Sequence, residues 1–435
     1  MARDPAPLGL GVRAVSFHGF AGAFAFALKN VGIELSAVVE PGGFGIPFIE
    51  RNRELLGFRG PIYTAAVPND PRAWDAEILV GNPPCSGFSL LNTSRGTGSR
   101  GASARQNDCM WAFVRHATHM NDGRGPEVAV FESVQGAFKQ GRDLMVLLCD
   151  SMRHETGQPY LLTHVLMSGA SVGAAQVRKR YFWVCHRIPF GIESPRLHRV
   201  WTYEDSIGDL ELQPLSTDPL PYEGEPRSEF AAMLTSRDGL VGDHVTGDAA
   251  QSALYQDLSE TWREGETSVE ALRRHVDERG GPPESWPEHK VRGHLRPGFF
   301  SYALRVARDK PGAVITGVGG LPFLHFSQSR ILTVREVSRL MGFPDDARWD
   351  VGTIGQVSAM LGKQVPVQSW EWMLGWVRRA VEGRPGAWRG DELLPGERLI
   401  DVTHDYKAVY DERRRVHGVD ARSPAVRRAM ESRPA

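Results

Sequence analysis

Short apolar runs recur through the first part of the chain, each followed by a polar or glycine-bearing stretch. Residues 12–17, 36–40, 77–81, 128–132, 161–167 and 181–185 read as strands, since compact β-branched and aromatic runs bounded by turn residues suit a buried sheet. The stretches between them, such as 22–31 and 108–120, carry apolar residues at helical spacing. This strand–helix alternation predicts an α/β fold with a mainly parallel sheet, whose sites lie at the carboxyl ends of the strands.

From about 190 to 328 the texture changes: Pro and Gly recur, periodicity weakens, and acids outnumber bases over 203–288. Helical patterning returns at 332–340 and again at 366–381. The predicted organisation is a catalytic first part over 1–189, a second and irregular domain over 190–328, a return of the first domain over 329–382, and a tail over 383–435 that is partly ordered at best. No internal repeat is visible.

Composition narrows the class. With 435 residues the chain can bury a full core. It lacks any long apolar run and any charged-then-apolar leader, so an intracellular, cytoplasmic enzyme of a bacterium or a phage-infected host is expected, with no membrane partner. Four cysteines (Cys85, Cys109, Cys149 and Cys185) are spaced too irregularly for a disulfide framework or a zinc site, so no metal is expected. Arg outnumbers Lys, 44 to 7, a bias associated with GC-rich bacterial or phage genomes. The net charge of −1 means that any nucleic-acid surface must come from local clustering, for example at Lys290-Val291-Arg292 and Arg296.

Four segments could carry chemistry. Gly81-Asn82-Pro83-Pro84-Cys85-Ser86-Gly87-Phe88-Ser89 follows a strand. Its two prolines fix φ and present a thiol in a set direction, at a strand end where it would be a good nucleophile toward an electron-poor carbon. A buried free cysteine in a turn is the competing reading. In Pro126 to Val134 an apolar strand ends on Glu132, whose carboxyl would have a raised pKa; a helix N-cap is the alternative. In Gln176-Val177-Arg178-Lys179-Arg180 a period of two puts Gln176, Arg178 and Arg180 on one face, suited to a polar base or a phosphate, or to a solvated edge strand. Finally, Phe17-His18-Gly19-Phe20-Ala21-Gly22 joins a strand to a helix and Glu40 ends the next strand, a nucleotide-cofactor arrangement with an imperfect glycine pattern.

Taken in order, these segments resemble the DNA cytosine-5 methyltransferase family. The likeness continues through Arg330 to Glu336, Gly342-Phe343-Pro344, and Gln356 through Gly362 to Val365-Pro366-Val367, and covers about 12–186 and 305–380. It implies a Rossmann-like S-adenosylmethionine-dependent methyltransferase fold with a smaller inserted target-recognition domain over 190–328. It also implies double-stranded DNA as partner, a monomer, and a cytosine flipped out of the duplex. By the same resemblance Cys85 adds to C6 of the cytosine, Glu132 holds N3 and the exocyclic amine, and Arg178 and Arg180 brace the base and its surroundings. Phe17, Gly19, Gly22, Glu40, Pro83, Lys363 and Val365 would line the site of S-adenosyl-L-methionine.

Four departures from the family pattern stand out. Ala21 replaces a glycine of the cofactor loop, and the acid expected near the adenine is not evident in Ile62-Tyr63-Thr64-Ala65. Ser133 stands in a Glu-Asn-Val motif, and Lys363 replaces Asn in the last motif, Gly362-Lys363-Gln364-Val365. In the family that Asn lies near the methionine end of the cofactor. A lysine there would repel a sulfonium and suit a cofactor with an added carboxylate. Carboxy-S-adenosyl-L-methionine and 5-carboxymethylcytosine are therefore an alternative to plain methyl transfer. An RNA cytosine-C5 methyltransferase and an inactive DNA-binding relative are further alternatives, and the acidic 190–328 segment is unusual for a DNA reader.

Overall fold

The computed structural model of the protein describes residues 11–19, 22–65, 75–84, 86–88, 101–213, 220–235, 240–241, 261–284, 286, 288–295, 303–316, 323–407 and 409–411. Phe20, Ala21, Cys85 and Arg296 lie outside the described residues.

In chain order, β1 (Arg13–Phe17) leads to α1 (Ala23–Asn30), β2 (Glu34–Val39), α2 (Ile46–Arg51), α3 (Arg53–Leu56), β3 (Ile62–Tyr63) and β4 (Ile78–Gly81). Then follow α4 (Asp108–His119), β5 (Val128–Ser133), α5 (Gln135–Thr156), β6 (Leu161–Ser168) and β7 (Lys179–His186). The middle of the chain carries α6 (Tyr203–Ile207), β8 (Leu220–Pro221), α7 (Glu229–Leu234), β9 (Leu240–Val241), α8 (Ser268–Arg279) and α9 (Glu288–Leu295). After β10 (Leu304–Arg305) and β11 (Phe323–Leu324) come α10 (Val334–Leu340), α11 (Ile354–Lys363), α12 (Val367–Val381), β12 (Asp391–Leu394) and β13 (Glu397–Val402).

These elements form two compact units. The first is Met1–Val172, Arg178–Arg196 and Gln364–His404; the second is Gly173–Val177, Leu197–Lys363 and Asp405–Ala435. Residues 329–363, expected with the catalytic part, thus group with the middle of the chain.

The first unit holds a nine-stranded sheet in the order β12-β13-β6-β7-β5-β4-β1-β2-β3. From β5 to β3 all neighbours run parallel, whereas β7 is antiparallel to both β5 and β6. All six strands expected from the apolar runs are present, to within a few residues at each end. The β1, β4 and β5 registers align Phe17 with Gly81 and Gly81 with Phe131, so β1 and β4 end level with Phe131, two residues before the end of β5. Beneath that row Phe113 of α4 meets Phe17 and Phe131 edge-on, and Phe131 stacks on Trp183 at 4.9 Å. The buried indole Nε1–H of Trp183 donates to the Met145 carbonyl at 2.8 Å, so this core leaves no unpaired indole donor.

Two features of this unit are not visible in the apolar runs. Residues beyond 383 are not merely a loose tail: β13 pairs in parallel with β6 over six residue pairs, and β12 closes a hairpin onto it. Its charged residues hide it from an apolar-run reading, although Ile400 and Val402 are buried, and ion pairs add to that burial. Glu397 takes two hydrogen bonds from Arg142 of α5, at 2.6 Å each, and one from His164 of β6 at 2.7 Å. The other feature is α5, 22 residues long, with non-helical torsions at Gly141. The Phe88 ring lies against that glycine, where an added Cβ would come within 2.5 Å of it, so the irregularity accommodates an inserted side chain.

The second unit has its own apolar cluster around Trp262, Leu272, Trp286 and Leu324. Capping boxes start α8 at Thr267 with Glu270 and α10 at Thr333 with Glu336. The fully buried Arg339 is neutralised by Asp345 and by Asp209, the latter at 2.6 Å. Among the described residues no helix is long and apolar enough to cross a membrane.

Candidate active site

The aligned strand ends of the first unit set several of the singled-out residues along one edge. Phe17 ends β1 fully buried, and His18 follows with φ 57°, a left-handed turn that starts the cofactor-type loop. Gly19 fits because a Cβ there would lie 2.4 Å from the Phe24 ring. Gly22 sits at φ 73°, which disfavours any side chain, and opens α1 with no side-chain cap and no acid in its first turn. On the neighbouring strand Glu40 follows β2, 1% exposed, with its carboxylate 3.6 Å from His18 Nδ1. Burial opposes a charge on His18, but the Cys109 and Glu40 contacts outweigh it and raise its pKa to about 9. Cys109 starts α4 and was not singled out from sequence, because a lone cysteine in a helix carries no pattern.

Asn82 and Pro83 continue from β4 at the same edge, and the Asn82 N–H donates to the His18 carbonyl at 3.1 Å. Downstream, Phe88 is 2% exposed, its ring against Gly141 of α5. Ser86 to Phe88 form a short helical turn.

Glu132 is the penultimate residue of β5 and 2% exposed. Its Oε1 lies 2.5 Å from Nε of Arg180 on β7, though off the hydrogen-bond direction. Burial raises the Glu132 pKa, and the cationic Arg180 and Arg178 pull it back only in part. This carboxyl therefore holds a proton at pH values where a surface glutamate would be ionised. Arg178 is 4% exposed just ahead of β7. The expected shared face of Gln176, Arg178 and Arg180 does not extend to one unit: Gln176 belongs to the second, where its bridge is to Gly312.

The last motif is divided at the same kind of boundary. Lys363 is exposed as the final residue of α11, in the second unit. Gln364 and Val365 are buried in the first, ahead of α12, whose Trp370 meets Phe24 of α1 and Phe182 of β7 edge-on. Within that motif the Gln364 Oε1 accepts the Ala23 N–H at the start of α1, 3.1 Å away. In the second unit the expected basic patch is partly consumed internally, since Arg292 pairs with Glu288 one helical turn away.

Known proteins share this chain's sequence and its fold. The family described as C-5 cytosine-specific DNA methylase matches residues 14–374. The type II methyltransferase M.NgoFVII of Neisseria gonorrhoeae is 25% identical over 305 residues, covering 69% of each chain. M.MthTI of Methanothermobacter thermautotrophicus is 22% identical over 312 residues, 71% of this chain and 80% of its own. The mouse DNA (cytosine-5)-methyltransferase 1 is 24% identical over 68% of this chain, which spans only 23% of that larger protein. A crystal structure of a protein described as a DNA modification methyltransferase, encoded within an Escherichia coli prophage, superposes with a TM-score of 0.60 at 14% identity. It covers 86% of this chain and 100% of its own, a likeness of fold. Matched over most of its length, the chain belongs to the C-5 cytosine-specific DNA methylase family.

Proposed function

We propose that the protein is a DNA cytosine-C5 methyltransferase that attacks a flipped-out cytosine with Cys85. The observation that carries this reading is the buried Glu132 carboxyl, 2.5 Å from Arg180 Nε and close to Arg178, at the strand ends that also bear Asn82-Pro83. Cytosine is a poor electrophile until its ring nitrogen is protonated or hydrogen-bonded. A protonated Glu132 can donate to N3, and its other oxygen can accept from the exocyclic amine. The Cys85 thiolate then adds to C6, forming the S–C6 bond and making C5 nucleophilic. S-adenosyl-L-methionine, implied by the family, supplies an electrophilic methyl group for C5. Loss of the C5 proton to a base and departure of the Cys85 sulfur restore the ring.

The residues present fit that cofactor. Glu40 offers a buried carboxylate suited to a ribose diol. The start of α1 offers positive helix-end charge with no acid of its own to neutralise it. Methyl transfer is favoured over carboxymethyl transfer because Lys363, the last residue of α11, is an exposed residue. The irregular insert supports duplex DNA over RNA, since reading a duplex needs a groove-facing element besides the catalytic sheet.

The test incubates the protein with duplex DNA and with structured RNA, each with S-adenosyl-L-methionine, with its carboxy analogue, and with both. Nucleosides are identified by mass spectrometry. The expected product is 5-methylcytosine in DNA, absent with Cys85→Ser and reduced roughly 10²–10⁴-fold with Glu132→Gln. A Cys85→Ser variant of undiminished activity would refute the mechanism. Dominant 5-carboxymethylcytosine in the competition, or product only in RNA, would select one of the alternatives.

A further inference from the structure

We propose that Cys149 and Cys185 are a disulfide-forming pair, a modification site buried between α5 and β7 that a low-molecular-weight disulfide closes into a covalent bridge. The pair has no part in the proposed methyl transfer. Its two Sγ atoms lie 3.1 Å apart, in hydrogen-bond contact across 36 positions of sequence. A disulfide bond is about 2.05 Å long, so the sulfurs need approach each other by only about 1 Å. The elements that carry them are fastened on both sides of the pair. Toward the start of α5 the Trp183 indole of β7 donates to the Met145 carbonyl at 2.8 Å. Toward its end Arg153 donates to the Tyr160 carbonyl at 2.5 Å, which ties the last turns of α5 to the chain entering β6. Cys185 itself is held inside the sheet, opposite Ala129 of β5 and Leu162 of β6. Both cysteines are fully buried in the apolar core of the first unit.

Burial sets how the bridge forms. The thiolate is the attacking species, and burial, followed by the hydrogen bond to Cys149, pushes the Cys185 thiol well up. An oxidant therefore reaches the pair only when α5 opens from the sheet, or before the chain has folded. One thiol loses its proton and attacks a sulfur of the small disulfide, which releases a small thiolate and leaves a mixed disulfide on the protein. The second thiol loses its proton in turn and attacks the protein sulfur of that mixed disulfide. The new S–S bond forms and the second small thiolate leaves. Two protein thiols and one small disulfide thus become one protein disulfide and two small thiols, with two electrons passed to the oxidant. Once closed, the bridge fastens the second half of α5 to β7 and disfavours their separation, because it restricts the opened chain between 149 and 185.

Peptide mapping by mass spectrometry tests this on the whole wild-type protein, incubated with oxidised glutathione in buffer and in urea below the unfolding midpoint. The expected product is a cross-linked pair of peptides carrying Cys149 and Cys185, lighter by two hydrogens. It should form faster in urea and be undone by dithiothreitol. In the bridged protein, amide hydrogen exchange of 145–152 and 182–185 should slow by roughly 10–10³-fold, with no such change in Cys149→Ser treated alike. Absence of the cross-link, even after unfolding and refolding in the oxidant, would reduce the two thiols to small apolar fillers of the core. Cross-links from either residue to Cys85 or Cys109 instead would equally overturn the pairing. A bridge that leaves exchange unchanged would refute its hold on α5. Because the mapping uses the wild type, an unstable Cys149→Ser variant does not affect its outcome.

Discussion

Replacing Glu397 by Ala removes the carboxylate that fastens the C-terminal hairpin to the sheet, and its consequences follow from three contacts. His164 is fully buried; its Nε2–H donates to Glu397 and its Nδ1 accepts from the Tyr181 hydroxyl at 2.7 Å. Without the carboxylate one ring nitrogen is stranded, at a cost of about 1–3 kcal/mol. Arg142 loses two bonds, but its side chain is 37% exposed and can turn to water, which limits its share to about 1 kcal/mol. The expected loss is therefore about 2–4 kcal/mol, concentrated in β13 and its neighbour β6. Because the chain has two compact units, a single melting midpoint would blur the effect. Amide hydrogen exchange of 161–168 and 397–402 is the suitable assay. Glu397→Gln keeps an acceptor for His164 and should cost clearly less than Ala. A loss under about 0.5 kcal/mol in the Ala variant, or equal losses in both, would refute the view that a hydrogen-bonded carboxylate rather than backbone pairing holds the hairpin.

Two further outcomes follow from the same geometry. Gly19→Ala forces a methyl to within 2.4 Å of the Phe24 ring, so the loop or the ring must shift; cofactor affinity measured by calorimetry should fall at least tenfold while the melting temperature moves little. The second concerns acid. Burial lowers the pKa of His164 and of His186 to about 4 from 6.5, with His186 held neutral between the Ile188 carbonyl and the Thr163 hydroxyl. The unfolded chain binds these protons first, so this stability is complete above about pH 6.5 and is lost as pH falls toward 4. Glu397, held below the usual carboxylate range chiefly by Arg142, acts in the same direction. His18 and Glu132, whose pKa values are raised, act in the opposite direction. The check is therefore the loss of urea stability from pH 7 to pH 5 in the wild type against His186→Asn, which should lose less; an equal loss in both would contradict the sign.

The sequence alone determined four strands of the parallel half of the sheet, β1, β2, β4 and β5, since a strand covered on both faces must be a run of apolar residues; the two-residue β3 is too short for such a run. It also determined which residues stand at the strand ends, because Phe17, Gly81 and Glu132 each close such a run and the turn chemistry follows at once. Tertiary structure decided the rest. The strand Glu397–Val402 carries Glu397, Arg398 and Asp401, so its own pattern argues for a solvated tail; its pairing with β6 and the contacts of Glu397 with Arg142 and His164, more than 230 positions earlier, make it part of the sheet. Gly141 reads as a weak point of a helix until Phe88 is seen lying against it. The last motif reads as one unit, and chemical interest falls on its lysine. In the folded chain Lys363 and Gln364 belong to different compact units, and the glutamine is the one that reaches the start of α1. Local patterns report how a residue meets its neighbours in sequence; a hydrogen bond between residues 23 and 364 leaves no trace there, because each partner alone satisfies an ordinary local rule.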